Sequence, residues 1–224
     1  MPKRLKETMI RSDFHMHTAF STDSEEAVES MLNRAVERGL YSVCITDHMD
    51  ADYPPDDELG ESAFRLDTEN YFPFLLKKKK EYEERIQVRI GIELGLQKHL
   101  GTRYETLIEK YPFDFVIGSM HLVCGEDPYT GKVFEELGDA QVYRRMFCET
   151  LECIRKIKCF DVLGHLDYVV RYGKHQAEAY SYEKFSDEID MILRELISSG
   201  KGLELNMAGI KYGLGLAHPH PSVL

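Results

Sequence analysis

Apolar residues fall into two patterns along this chain. Short runs rich in β-branched and aromatic residues predict strands at 9–14, 41–46, 87–94, 115–120, 160–163 and 203–205. Between them the apolar positions recur at helical spacing. Val28, Met31, Leu32, Ala35 and Val36 mark a first helix. Thr22-Asp23-Ser24-Glu25 predicts a capping box at its start, and Gly39 ends it. Residues 67–85 predict a second helix despite Pro73, with Lys77-Lys78-Lys79-Lys80 on a solvated face. Residues 102–110 predict a third. Tyr143, Met146, Phe147, Thr150, Leu151, Ile154 and Ile157 mark a fourth. Tyr182, Phe185, Ile189, Ile192, Leu193, Leu196 and Ile197 mark a fifth, stopped by Gly200. The stretches 49–65, 124–138 and 207–224 read as loops. Strands alternating with helices predict βαβ units, a parallel sheet and an α/β fold.

The polar residues that punctuate this pattern sit at strand ends. His15 and His17 follow the first strand and His48 the second. Glu93 ends the third, His121 follows the fourth, and Gly164-His165-Leu166-Asp167 follows the fifth. Alternate side chains of a strand share a face, so His15-Met16-His17 aims two imidazoles at one point. Neutral imidazole suits Zn, Fe and Mn-like ions. In a (β/α) barrel all strand C-termini share one face, which carries the active site. These residues are therefore expected to converge on a metal cluster. Asp23 is open between capping the first helix and ligating metal. His99, His175, His218 and His220 lie in loops or near the end and read as solvent-exposed. The acids Asp50, Asp52, Asp56 and Asp57 read as a solvated loop, with contact to a cationic amine as the alternative.

Composition narrows the partners. A chain of 224 residues with 43% hydrophobic content predicts one domain with a sizeable core. The net charge of -11, with Lys and Arg dispersed, argues against a nucleic-acid footprint. It leaves room for a small anionic substrate at a locally positive site. Five cysteines without a Cys-x-x-Cys spacing predict reduced thiols and a cytoplasmic location. Residues 1–7 are basic without an apolar segment and read as a short tail, and no run predicts a membrane span.

Five motifs carry a family resemblance: Asp13-Phe14-His15-Met16-His17-Thr18, Thr46-Asp47-His48, Gly91-Ile92-Glu93-Leu94-Gly95, Gly118-Ser119-Met120-His121 and Gly164-His165-Leu166-Asp167. Together they resemble the polymerase-and-histidinol-phosphatase (PHP) metallohydrolase superfamily, over nearly the whole chain. Phe64-Arg65-Leu66-Asp67, Tyr71-Phe72 and the 91–97 stretch look most like its histidinol-phosphate phosphatases. The resemblance implies a distorted (β/α)7 TIM-like barrel holding up to three divalent ions, Zn, Fe or Mn. It assigns His15 and His17 to a first metal, Glu93 as a bridge, His121 and His165 to a second, and Asp23 and His48 to a third. His17, Glu93 and His121 would be catalytic, with Asp47 grouped beside them as an orienting carboxylate. Arg171, just after the fifth strand, and Lys211, after the sixth, read as a phosphate clamp or as ordinary surface charge. The implied reaction is hydrolysis of L-histidinol phosphate in histidine biosynthesis, without nucleic-acid or membrane partners.

The sequence departs from the family at its end. The family's last strand carries an Asp and a His ligand, and residues 221–224 precede any such strand. The expectation is a single domain over 1–224 lacking the last βα unit. The barrel would have an open seam, and the first and third metals would each lose a ligand. His218 and His220 could fold back in substitution. Two alternatives follow: a PHP-type phosphodiesterase or exonuclease, which should carry a basic track, and an inactive metal-binding remnant.

Overall fold

The computed structural model describes residues 10–55, 60 and 63–224. In chain order the elements are β1 (Ser12–Asp13), α1 (Val28–Glu37), β2 (Ser42–Ile45), β3 (His48–Met49), α2 (Thr68–Glu81), β4 (Gln87–Gly95), α3 (Gly101–Lys110) and β5 (Phe115–Ser119). Then come α4 (Lys132–Leu137), α5 (Asp139–Lys156), β6 (Val162–Leu163), α6 (Gln176–Ala179), α7 (Tyr182–Ser198), β7 (Gly202–Leu203) and α8 (Ala208–Lys211). All strand pairs are parallel, in the order β1-β2-β4-β5-β6-β7. The α/β expectation holds.

β4 is the axis of this sheet. Every residue from Ile90 to Gly95 is buried, as a parallel strand covered on both faces requires. Gly91 is dictated by space, because a Cβ there would lie 2.6 Å from Cys44 Sγ and 2.8 Å from the Phe115 carbonyl oxygen. β2 pairs with the first half of β4 and β3 with its second half. The predicted 41–46 strand is thus interrupted at Thr46-Asp47 and resumes at His48. The Thr46 amide turns to the Met16 carbonyl, and the Asp47 carbonyl accepts from Glu93 N. That resumption carries His48 alongside Glu93, its partner in the register.

The sheet curls into an open, distorted half-barrel. β1 pairs with β2 alone and β7 with β6 alone, so among the described residues no ladder closes β1 onto β7. α5 and α7 pack together through Phe147 and Phe185, ring centroids 5.6 Å apart, in the same core as Tyr143, Ile189 and Ile192.

The structure corrects several local expectations. The 22–25 capping box does not form. α1 starts at Val28 behind Ala27, which makes no side-chain cap bond. Turns across 18–26 delay the helix, and Thr22 Oγ1 instead accepts from Phe64 N. Lys78 leaves the solvated face: it is buried, paired with Glu29 at 2.8 Å and Glu81 at 2.6 Å. The 124–138 loop holds a 3-10 turn at Pro128–Thr130 and α4. The 207–224 tail holds α8, and its His218 forms an antiparallel bridge with Asn206. No helix among the described residues is long and apolar enough to cross a membrane.

Candidate metal centre

Five imidazoles from four places in the sequence surround one carboxylate. Glu93, near the end of β4, is fully buried. His15 Nε2 and His17 Nε2, just past β1, lie 3.1 and 3.0 Å from its Oε2. His48 Nδ1 on β3 lies 3.3 Å from the same oxygen. His121 Nε2, past β5, and His165 Nε2, past β6, lie 3.2 and 3.1 Å from Oε1. The parallel sheet explains the convergence, since His15, His17, His121 and His165 follow the C-terminal ends of β1, β5 and β6, and β3 sets His48 beside Glu93 near the same end of β4.

Asp23 joins the rim. Its Oδ2 is 3.0 Å from His17 Nδ1 and 3.7 Å from His48 Nε2. Helix capping does not claim this carboxylate. Three overlapping groups bring ligand atoms within 4.8 Å of one another: His15, His17 and Glu93; His17, Asp23 and His48; His48, Glu93 and His121. They share members, so they form candidate clusters rather than separate sites. The first group matches the expected first metal, and the second contains the expected third. The third places His48 with Glu93 and His121, where the resemblance implied His165. His165 keeps its contact to Glu93 but enters none of these groups.

The donor set fits divalent cations. Glu93 Oε2, His17 Nε2 and His165 Nδ1 are buried without a hydrogen-bond partner. A buried carboxylate oxygen left so is costly unless an ion or proton meets it. Imidazole nitrogens around carboxylate oxygen suit Zn, Fe or Mn better than Mg. Protons fill part of this role in the metal-free protein. Burial alone would lower the His15 pKa, but Glu93 and Glu204 outweigh it and raise it from 6.5 to about 10. His121 is buried too, and Asp50 and Glu93 raise it to about 9. His48 is raised against its burial by Glu93, Asp23 and Asp50. For His165 burial prevails over Glu93 and lowers the pKa to about 4, so this ring is neutral. Burial would raise Glu93, yet the surrounding imidazoles hold it well below the usual carboxylate range.

Comparison with known proteins agrees with this geometry. Residues 13–208 match the model of the PHP domain family. The chain belongs to the PHP domain family. Among curated relatives, the histidinol-phosphatase of Lactococcus lactis is 30% identical over 88% of this chain and 72% of its own length. A probable histidinol-phosphatase of Clostridium acetobutylicum is 33% identical over 87% of this chain and 72% of its own. The crystal structure of the L. lactis histidinol phosphate phosphatase, complexed with zinc, L-histidinol and phosphate, superposes with a TM-score of 0.80. That match covers 88% of this chain and 73% of the other. A Listeria monocytogenes structure at 20% identity shares the fold, with a TM-score of 0.76 over 95% of this chain and 88% of that one.

Other expected site residues of this PHP chain take different places. The Asp47 carboxylate accepts from Thr18 N at 2.6 Å and Thr18 Oγ1 at 2.8 Å. It anchors the loop that carries His17, the contact an orienting carboxylate would make. Arg171 is half-buried beneath three tyrosine rings, its guanidinium carbon 5.0, 4.7 and 4.2 Å from the centroids of Tyr168, Tyr172 and Tyr212. Tyr168 in turn donates to the His121 carbonyl, which ties this cation to the cluster's edge. Lys211 lies beside the same Tyr212 ring at 5.5 Å and is exposed.

His218 is not solvent-exposed as expected. It is buried, with Nδ1 2.7 Å from Asp167 Oδ1, and has no contact to Glu93 or the other imidazoles of the cluster. His99 and His175 are exposed as expected. Asp50 overturns the solvated-loop reading, being buried with its oxygens on His121 Nδ1 at 2.6 Å and His48 Nδ1 at 3.1 Å. Asp52 is exposed and pairs with Arg103 and His99. Asp56 and Asp57 lie outside the described residues. Sequence reasoning also missed Glu204, which meets His15 Nδ1 at 2.6 Å.

The raised imidazole pKa values give a pH dependence with a definite sign. At pH 7 His15 and His121 carry protons in the metal-free protein, and ligation must displace them. Zn2+ uptake is therefore expected to release protons and to weaken roughly tenfold or more per pH unit lowered below about 9. Calorimetric titration in two buffers of different ionisation enthalpy measures this. Heats that are the same in both buffers would contradict it.

Proposed function

We propose that this PHP chain binds divalent cations at the Glu93 cluster and that the site is built for a small phosphate monoester, with L-histidinol phosphate as its substrate. The convergence of five imidazoles on one buried carboxylate carries the first half of this reading. The L. lactis relative, described with zinc, L-histidinol and phosphate, supports the second. His15, His17, Asp23, His48, Glu93, His121 and His165 would hold Zn, Fe or Mn ions. When bound, such ions neutralise a phosphate dianion, acidify water and align in-line attack.

The chain's own residues supply orientation. Arg171, fixed by its tyrosines at the cluster's edge, is placed to receive phosphate oxygens, and Lys211 adds a second cation on the same side. Glu93 and His121 share the centre of the cluster, and His17 faces both Glu93 and Asp23. The five free cysteines fit a reducing, cytoplasmic setting.

One observation favours a second reading, metal binding without turnover. Among the described residues β1 and β7 leave an open seam beside His15, and each candidate group holds three protein ligands. Metal analysis together with phosphate release from L-histidinol phosphate separates the two. Bound metal with phosphate release supports the phosphatase. Bound metal without it establishes the second reading, and cleavage of single-stranded DNA alone would show a phosphodiesterase instead.

A further inference from the structure

We propose that Glu204, which no motif singles out, is a positioning residue of the metal centre. It fixes His15 with Nε2 toward Glu93 and latches the open edge of the sheet at the same time. This inference rests on the metal-binding reading above.

Glu204 directly follows β7 and continues its register, its amide donating to the Leu163 carbonyl of β6 at 2.9 Å. Its side chain then crosses the seam. Oε1 lies 2.6 Å from His15 Nδ1, and Oε2 accepts from His165 N at 2.8 Å. Asn206 Nδ2 donates to Oε1 at 3.2 Å. A carboxylate oxygen this close to a ring nitrogen requires a proton between them, so Nδ1 is the nitrogen of His15 that keeps its proton when a cation binds. The lone pair available for a cation is then on Nε2, the atom that lies 3.1 Å from Glu93. A carboxylate on the far nitrogen of a ligating imidazole sets its tautomer and raises its basicity.

The same carboxylate does mechanical work. Among the described residues no ladder joins β1 to β7, so nothing in the backbone pairing holds His15 against the β6–β7 side. Glu204 spans that gap, holding the side chain of His15 and the backbone of His165 with its two oxygens. Most of its surface is buried, so three accepted hydrogen bonds offset its desolvation.

The test measures Zn2+ affinity by competition with a chromophoric chelator, for the wild-type chain, Glu204→Ala and Glu204→Gln, with thermal melts alongside. Glu204→Ala is expected to weaken Zn2+ binding roughly ten- to a hundredfold. Glu204→Gln should recover part of this, because its carbonyl still accepts from Nδ1–H but its amide cannot serve His165 N. In the Zn2+-loaded wild type, ¹⁵N shifts should show His15 protonated at Nδ1 and ligated through Nε2. Unchanged affinity in the Ala variant, with only a lowered melting temperature, would leave a structural latch and overturn the positioning role. Zn2+ on His15 Nδ1 would overturn it as well. A wild-type chain that takes up no Zn2+ overturns both this inference and the metal-binding reading, and the wild-type measurement alone reports that case.

Discussion

Glu93→Gln is expected to remove most of the bound metal and any phosphatase activity with it. The substitution keeps shape and volume, so the loss is electrostatic. Glu93 is the one residue that all five imidazoles approach, and it belongs to two of the three candidate ligand groups. A carboxamide is a poor ligand, and its amide hydrogens would point at neighbouring ring nitrogens or a cation. The metal-free protein suffers too. With Glu93 ionised, His15, His48 and His121 hold protons above their ordinary pKa. Removing the charge strands buried imidazolium ions, at a cost of about 3–5 kcal/mol when one partner of a buried pair is lost. The sign with pH follows from the raised values. The stabilisation is complete below the ordinary 6.5 and fades as pH rises through about 9 to 10. Melts of metal-free wild type and variant should therefore differ most near pH 6 and converge toward pH 10. Elemental analysis showing full metal content in Glu93→Gln would contradict the central role given to this residue.

The ligand-type residues were legible because they obey two local rules. Apolar runs locate strand ends, and a parallel sheet gathers those ends on one side. His15, His17, His48, Glu93, His121 and His165 needed nothing more to be found. The residues that hold them in place needed tertiary information. Asp50 lies 71 positions from His121, and Glu204 lies 189 from His15. Nothing near Asp50 in sequence separates it from the solvated Asp52, and Glu204 stands alone between Leu203 and Leu205 with no motif around it. The 22–25 stretch shows the opposite failure. Its local capping signal is well formed, yet the cluster claims Asp23 and the 63–65 turn claims Thr22. His218 was misjudged for the same reason, since burial against Asp167 is set by a contact 51 residues away. Strand bounds were over-read at 160–163 and 203–205, where β6 and β7 pair over two residues each. Apolar composition marked six of the seven strands, missing β3 at His48–Met49, but not where pairing stops.

Asp50→Ala should be nearly as damaging to the metal centre as a ligand mutation, while Asp52→Ala, two residues on, should leave it intact. Asp50 Oδ1 sits on His121 Nδ1 and Oδ2 on His48 Nδ1, so one carboxylate orients two rings that face Glu93. Burial would raise its pKa, but His121 and His48 keep it lowered, and the ion is therefore present at neutral pH. Truncation leaves His121 Nδ1 buried without a partner, at a cost of about 1–3 kcal/mol, and leaves His48 Nδ1 with Glu93 alone at 3.3 Å. It also frees His121 and His48 to rotate, and lost orientation of a ligating imidazole typically costs roughly 10- to 100-fold in metal affinity. Asp52 is half-exposed at 52% and its partners Arg103 and His99 are exposed as well, a surface arrangement that contributes little. Zn2+ competition and thermal melts on the two variants measure the contrast. Equal affinity in both would mean that Asp50 merely fills space beside Gly95, where a Cβ would already lie 2.1 Å from its Oδ1. A loss confined to Asp50→Ala would show that the ring geometry around Glu93 is held from behind by this buried acid.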